Sequence, residues 1–369
     1  MYGLGESSDL GAYSDCSLSQ IRRGIESYLK ENPRSSVSFK SIVAHQNPIE
    51  KFDFLNTRFN KGSVDIVDHG DHYEVDVTRE IKRSGRTVSG SFAIFNHEDT
   101  QVWTAFTAHG SDFFERGLGW VISKCEPHIS EFYATSRDLE TVLDMFSEAV
   151  DYNSKVIVTQ AVAYSHREEG EISYKTRPYP EVFRAARDGG NYVDSVLFNS
   201  MSEDKVNLEA TITRDGTTKL SSGNVELFFN YLLEDYVSFG QEKAELFTNR
   251  ERSRDTGDIQ EIEVKFANPV FQSTKDNEDL IDALADLSRS SVTVYHKNPY
   301  AHISVLDFND GSSCDVFVTD SKTVKIVPSY RGSTNFLMRI SDKLYKDLDE
   351  SAVELTGQES YGVEDFVGG

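Results

Sequence analysis

The sequence is poor in cysteine, in uninterrupted apolar stretches and in positive charge. Its 369 residues include three cysteines, Cys16, Cys125 and Cys314, which lie far apart and form no short pair. This spacing argues against a disulfide framework and against a structural zinc site. No stretch approaches the roughly 18 consecutive apolar residues of a membrane-spanning helix, and residues 1–15 lack the basic and apolar segments of a secretory signal. We therefore expect a cytoplasmic protein without a membrane partner.

The shortage of positive charge is pronounced. Basic residues number 38 against 61 acidic residues, which gives a formal net charge of −23. The acidic residues are spread along the whole chain, so they predict a hydrated carboxylate surface, compatible with a halophilic origin, rather than an acidic tail that captures one basic partner. Aromatic residues make up 11% of the chain and supply enough large apolar side chains for a packed core. A wholly disordered chain is thereby excluded.

The periodicity of the apolar residues predicts an α+β fold of antiparallel sheets with packed helices. Residues 63–107 alternate between apolar and polar side chains around turns at His69-Gly70 and 97–99, a pattern typical of two successive hairpins. Nearer the C-terminus, helical spacing at 278–288 is followed by alternating segments and a second helical pattern. These segments predict a C-terminal unit in which a three-strand meander lies between two helices.

Several helices can be placed by their ends. A polar start at Ser17 or Ser19 precedes apolar residues at helical spacing, and Ser136 is the expected cap of a later helix. A long helix is predicted from Val225 to Phe247, and Gly240 is expected to break it.

The sequence divides into five predicted segments, with a boundary near 268–276, where Asn268-Pro269 interrupts regular structure. They are a mobile tail at 1–16, an N-terminal α+β domain at 17–165, a middle α/β region at 166–268 continuous with it, a C-terminal α+β domain at 276–350, and a mobile tail at 356–369.

One candidate metal site lies on the first hairpin. Strand alternation places His72, Glu74 and Asp76 on one face, and imidazole and carboxylate groups are metal ligands. That face is opposite Tyr73 and Val75, so the alternative interpretation, which we favour in so acidic a chain, is an ordinary solvated face.

A second candidate is a metal-dependent nuclease core. Such a core needs carboxylates on a strand and a nearby lysine that stabilises charge on the scissile phosphate. Glu261, Glu263 and Lys265 share one face of a predicted strand and have this spacing. Mg²⁺ or Mn²⁺ would be required under this alternative, and no other feature of the sequence calls for a cofactor.

Basic residues cluster at two places, which lie at 79–86 and 250–254. Arginine and lysine on exposed turns bind phosphates without sequence preference, so both clusters are candidate nucleic-acid contacts. The alternative is that each cation pairs with a nearby carboxylate. The candidate residues are Arg79, Lys82, Arg83, Arg86, Arg250, Arg252 and Arg254.

The sequence carries no signature of a common active site. It lacks a phosphate-binding loop ending in Gly-Lys-Ser/Thr, a Gly-x-Ser-x-Gly elbow and a His-Glu-x-x-His helix. This favours a non-enzymatic role. We therefore expect a binding subunit of a larger assembly, with protein partners and with nucleic acid as a second class of partner. The alternatives are a metal-dependent phosphodiesterase or nuclease, and a structural component of a virus particle or another self-assembling body.

Overall fold

The computed structural model describes residues 17–44, 46–58, 62–150, 154–165, 170–203, 205–250, 260–350 and 353–356. The chain divides into two compact units that meet in sequence between Glu242 and Lys243. Each unit contains one antiparallel sheet with packed helices. The predicted α+β class is confirmed.

The helices within these residues are mostly short, and two of them are interrupted by π-helical turns at Phe114–Leu118 and Phe228–Leu233. They are α1 (Leu18–Glu31), α2 (Ile49–Arg58), α3 (Ser111–Phe113), α4 (Gly119–Cys125), α5 (Ser136–Ala149), α6 (Tyr179–Asp188), α7 (Val225–Leu227), α8 (Glu234–Phe247), α9 (Thr274–Ala285) and α10 (Thr334–Asp347).

The strands within the same residues fall into two groups. Those of the first unit are β1 (Val37–Ala44), β2 (Gly62–Asp68), β3 (Tyr73–Ile81), β4 (Arg86–Asn96), β5 (Val102–Thr107), β6 (Ile129–Glu131), β7 (Ser154–Ser165), β8 (Glu171–Pro178), β9 (Asn191–Ser202), β10 (Lys205–Thr213) and β11 (Thr217–Gly223). Those of the second are β12 (Ile262–Lys265), β13 (Ser290–His296), β14 (His302–Asp307), β15 (Ser313–Asp320), β16 (Thr323–Pro328) and β17 (Val353–Thr356).

Local sequence signals explain where several elements begin and end. Ser17 caps α1, and its backbone N–H donates to the Gln20 side chain at 2.8 Å, so the predicted start is confirmed. The cap of α5 is Thr135 and not Ser136, because the Thr135 hydroxyl accepts the N–H of Asp138 at 3.2 Å. Both hairpins predicted between residues 63 and 107 are present, as β2–β3 and β4–β5.

The predicted break at Gly240 is wrong. Helix α8 continues through this residue to Phe247. A Cβ atom at position 240 would lie 2.8 Å from the ring of Phe132. The glycine therefore allows an aromatic ring to pack directly on the helix backbone. This contact explains why the helix contains glycine here despite its low helix propensity.

The sheet of the first unit runs in the order β2-β3-β4-β5-β1-β11-β10-β9-β7-β8, and β6 pairs with β1. Central strand β1 is buried on both faces. Ile42 belongs to the cluster formed with α2 and α4, whereas the Phe39 ring contacts Phe228 at a centroid distance of 4.7 Å. Because positions 39 and 42 differ by an odd number, these two contacts lie on opposite faces of the strand.

The sheet of the second unit has the order β13-β14-β15-β16-β12-β17. A helix–meander–helix arrangement is present, but the meander between α9 and α10 has four consecutive strands, β13 to β16, where the sequence predicted three. Ile303, Val316 and Ile326 pair across the meander and are fully buried. Along each strand, the residues that alternate with these buried positions point to the opposite face of the sheet, where side chains are more exposed.

The predicted segment boundaries stay predictions. Strand β12, at 262–265, pairs within the second sheet and lies ahead of the predicted boundary at 268–276. The predicted tails lie outside the described residues, apart from Thr356, which ends β17. Within the described part of the chain, no helix is long and apolar enough to cross a membrane.

Candidate functional site

The first basic cluster lies at the turn between β3 and β4. The Arg79 guanidinium lies 5.2 Å from the centre of the Trp120 ring and donates a hydrogen bond to the Arg116 carbonyl at 2.9 Å. Arg86 pairs with Asp112, with 3.0 Å between Nη2 and Oδ2. Both arginines therefore already have partners within the unit.

Two other cations of this cluster are unpaired. Lys82 and Arg83 occupy the exposed turn itself, and neither forms an ion pair with any residue that the structure describes. The second cluster is less defined, because Arg252 and Arg254 lie outside the described residues and Arg250 donates to the Leu246 carbonyl at 2.8 Å. Among the described candidates, only Arg86 is paired with a carboxylate, Arg79 and Arg250 donate to uncharged backbone carbonyls, and Lys82 and Arg83 form no ion pair.

The proposed metal ligands of β3 do not share one open face. His72 is 2% exposed and its Nδ1 lies 2.6 Å from Asp71, whose other oxygen accepts the Leu18 N–H at 2.7 Å. The expectation that His72 is solvated is therefore wrong. The His72 ring contacts the Asp71 carboxylate, and this carboxylate links the β2–β3 turn to the start of α1. Among the described residues, no group of three or more His, Cys, Asp or Glu side chains could hold a metal ion.

The remaining two residues of this candidate lie on the polar side of the hairpin. Burial, with the neighbouring Asp76 carboxylate as a second cause, raises the pKa of Glu74. Burial also raises the pKa of Asp76, and Asp65, its direct cross-strand partner, adds to this effect. Like charges placed opposite each other destabilise a hairpin modestly.

The three residues of the nuclease candidate lie together at one place in the second sheet. Glu261 pairs with Lys325 at 2.6 Å, and Glu263 pairs with Lys265 at 2.6 Å and with Lys325 at 3.7 Å. Lys325, which no local pattern links to this group, joins it from β16 because β16 pairs with β12. Two carboxylates and two ammonium groups balance each other here, so the group carries no net charge for binding a cation.

A hydroxyl–imidazole–carboxylate chain occurs inside the first unit. The Thr104 hydroxyl lies 2.8 Å from His97 Nε2, and His97 Nδ1 lies 3.4 Å from Glu234. This order resembles the relay of a hydrolase, but Thr104 is fully buried and His97 is 5% exposed. A substrate could not reach the hydroxyl. The contact of Thr104 with His97 Nε2 satisfies two buried polar atoms, whereas His97 Nδ1 forms no hydrogen bond with a described residue.

Lys40 forms a second buried polar group. Its ammonium lies 3.3 Å from the Asp215 carboxylate and 3.4 Å from Glu131, and it donates to the Asp215 carbonyl. Burial opposes ionisation of Asp215, but Lys40 and the hydrogen bonds from Thr213 and Thr217 outweigh it and lower the pKa of this carboxyl. These contacts join β1 to the β10–β11 turn.

The sequence analysis missed an aromatic surface on the second sheet. Its members, Tyr295, His302 and Phe317, lie side by side on β13, β14 and β15. The rings of His302 and Phe317 stack at 4.2 Å, and Tyr295 lies 4.8 Å from His302. Tyr295 is 64% exposed. The sequence carried only part of this signal: His302 and Phe317 alternate with the buried Ile303, Val316 and Val318 on β14 and β15, whereas β13 has no buried Val or Ile residue.

Further apolar side chains are exposed on strands β13 and β14 and next to them. Phe308, directly after β14, is 62% exposed, and Tyr300 and Leu306 are also exposed. Val294 is exposed as well, but it is the cross-strand partner of the buried Ile303 and lies on the α9 side of the sheet. Aromatic and large apolar side chains, gathered within one short stretch of chain, are typical of surfaces that bind other proteins.

A groove lies between α9 and edge strand β13. It has a volume of about 770 Å³. Its lining combines apolar side chains, Ile281 and Val294, with the carboxylates of Glu278 and Asp282.

Comparison of the sequence with models of known protein families finds no match, and comparison with curated proteins finds none either.

Proposed function

We propose that this protein is a binding subunit of a larger assembly and that its partner protein binds the second sheet through the aromatic surface and the exposed apolar residues of β13, β14 and the segments next to them. The observation that carries this proposal is the exposure of Tyr295 near the end of β13 and of Phe308 directly after β14. Buried aromatic anchors dominate the binding energy of protein interfaces, whereas scattered polar contacts contribute little. An exposed aromatic group of this kind also has no role in the core of its own unit.

The geometry of the other candidates supports this choice. The carboxylates of the nuclease candidate are paired with lysines. The hydroxyl–imidazole chain is closed to substrate. The aromatic surface, in contrast, is open and needs no rearrangement before a partner docks.

The test is recovery of the native assembly with a tagged full-length chain at native salt. Replacing Tyr295 and Phe308 together by Ala should reduce recovery of the partner by about 30-fold or more, since an interface anchor contributes about 2 kcal/mol. Phe54→Ala is the matched control, because Phe54 is 55% exposed on α2, in the first unit. Equal recovery with the double variant and with the control would reject the proposal.

A second candidate function is association with nucleic acid through the β3–β4 turn. It is favoured by one observation, that Lys82 and Arg83 on that turn form no ion pair with the residues in the described ranges. Removing both charges, together with Arg86, should weaken retention on DNA or RNA and flatten its salt dependence. The control replaces Lys30 and Arg187, which are exposed and paired with Glu26 and Glu140. If retention and salt slope are unchanged, this turn does not contact nucleic acid.

A further inference from the structure

Strand β13 forms an unprotected sheet edge. Among the described residues it pairs with β14 alone, so alternate N–H and C=O groups on its outer side have no strand partner. Natural proteins usually block such an edge with charges, proline or a covering segment, because it can pair with another chain. The sequence of β13, Ser-Ser-Val-Thr-Val-Tyr-His, contains no Lys, Arg, Asp, Glu or Pro.

Both edges of the larger sheet are blocked. On β2, the Asn56 side chain accepts the Val64 N–H at 2.7 Å and donates to the Val64 carbonyl, so it occupies the place of a neighbouring strand. On β8, Lys175, Arg177 and Pro178 lie along the edge. The described part of the chain therefore protects both edges of the larger sheet and leaves the outer side of β13 without a strand partner.

The groove beside β13 adds chemical selectivity. Ile281 and Val294 provide apolar contacts, and Glu278 and Asp282 provide negative charge on the helix side. Lys297 pairs with Glu278 at 2.9 Å, whereas Asp282 forms no ion pair with any described residue. Asp279, on the same helix, is also exposed. A segment lying along β13 would thus meet apolar and acidic side chains.

We propose that β13 takes up an extended segment of the partner protein, in which apolar and basic residues alternate, as an added strand of the second sheet. This inference rests on the proposed function and names the chemistry of its partner. Backbone hydrogen bonds to the free edge supply affinity, and alternate side chains of the segment supply specificity. Apolar residues of the segment pack on Ile281 and Val294, and a basic residue pairs with Asp282, since Glu278 is already paired with Lys297, which also lines the groove.

Charge disfavours a second copy of this chain at the same edge. Antiparallel pairing of β13 with itself would place two α9 helices on one face of a continuous sheet, with the acidic residues Glu278, Asp279 and Asp282 of both copies in proximity. Like charges brought together in this way oppose association. A basic segment would instead be attracted by these acidic residues.

The experiment uses the full chain and defined peptides of about ten residues, the upper length of an ordinary strand. The main probe alternates valine with lysine. A glycine–lysine peptide has the same charge without apolar side chains, a valine–glutamate peptide has the opposite charge, and a valine–lysine peptide with methylated backbone nitrogens cannot donate strand hydrogen bonds. Binding is measured by fluorescence anisotropy, and hydrogen exchange reports which amides become protected.

We expect the valine–lysine peptide to bind, and each of the three other peptides to bind about tenfold more weakly or worse. Protection should rise within β13. Replacing Glu278 and Asp282 together by Lys should weaken binding about tenfold, whereas Asp279→Lys, a charge reversal on the same helix outside the groove lining, should have a smaller effect.

Three results would overturn the inference. The first is equal binding of the methylated peptide, and the second is protection outside β13. The third is concentration-dependent dimerisation that itself protects β13, which would assign the edge to a second copy. The assembly assay separates this inference from the proposed function. If the Glu278/Asp282 variant recovers the partner fully while the Tyr295/Phe308 variant does not, strand addition is rejected and the aromatic surface is retained.

Discussion

The two sheets of this chain differ in how they treat their exposed sides. The larger sheet covers its central strand on both faces and blocks its edges with Asn56 on one side and with charged residues and proline on the other. Among the described residues, the smaller sheet leaves edge strand β13 without a strand partner on its outer side and exposes aromatic side chains. Since both are antiparallel sheets with packed helices, fold class does not explain the difference. The proposed function would account for it, because a partner would cover the edge and the aromatic side chains of the second unit.

The comparison is tested most strongly by two phenylalanines. Phe228 is fully buried against Phe39 and Phe229, whereas Phe308 is 62% exposed. Phe228→Ala should lower the free energy of unfolding by about 3–5 kcal/mol, because it removes apolar contacts and leaves a cavity. Phe308→Ala should change it by less than about 0.5 kcal/mol. Urea denaturation measures the free energy of unfolding of both variants. Similar losses for the two would contradict the difference between the two units.

The next largest effect on stability is expected from substitutions of two lysines in polar networks. Lys40 is 6% exposed and contacts Asp215 and Glu131, whereas Lys325 lies on the more open second sheet beside Glu261 and Glu263. Lys40→Met should cost about 2–3 kcal/mol, since it removes charge-assisted hydrogen bonds from a buried position. Lys325→Met should cost about 1 kcal/mol or less. The reverse ranking in denaturant titrations would contradict the account.

The Lys40 network also has a pH dependence. The pKa of Asp215 is lowered in the folded protein, so its contribution to stability is present above its ordinary value of 3.8 and is lost as pH falls through the lower folded pKa. Lys40→Met should remove this part of the acid sensitivity.

A smaller effect concerns Asp235 on α8. Burial, with Glu234 as a second cause, raises the pKa of Asp235 to about 6, and its Oδ2 atom has no hydrogen-bond partner among the described residues. Between pH 3.8 and pH 6 the folded state keeps a proton that the unfolded state has released, so stability falls as pH rises. The stability of Asp235→Asn relative to the parent chain should therefore increase across this interval. A constant difference across these pH values would show that Asp235 is not the responsible group.

The smallest expected effect is at Lys265. Its ammonium pairs with Glu263, but its side chain is 53% exposed. Lys265→Ala should change the free energy of unfolding by less than about 1 kcal/mol, as for other solvated pairs. A loss comparable with that of Lys40→Met would show that the open face of the second sheet has a structural role.

Local chemistry explains which parts of this fold the sequence predicts. Ser17 marks the start of α1, as the sequence predicts, and Pro180 lies in the first turn of α6, where proline is favoured. The hairpin around Gly70 was anticipated because alternation and a turn residue coincide. Each of these signals lies within a few residues of the element that it defines.

Contacts between residues that are far apart in the sequence cannot be predicted from local sequence patterns. Strand β1 is buried on both faces and shows no alternation. Lys40 and Asp215 are 175 positions apart, and their contact exists only because β1 pairs with β11. The aromatic surface was missed for the same reason, since Tyr295, His302 and Phe317 come from three strands and become one surface only through their register.

The central claim is that the partner binds the second sheet at β13 and β14. Hydrogen exchange on the native assembly, compared with the isolated chain, tests it most directly. The account predicts slower exchange in residues 290–308 on assembly, with no change at the β3–β4 turn. Slower exchange confined to the first unit would contradict it.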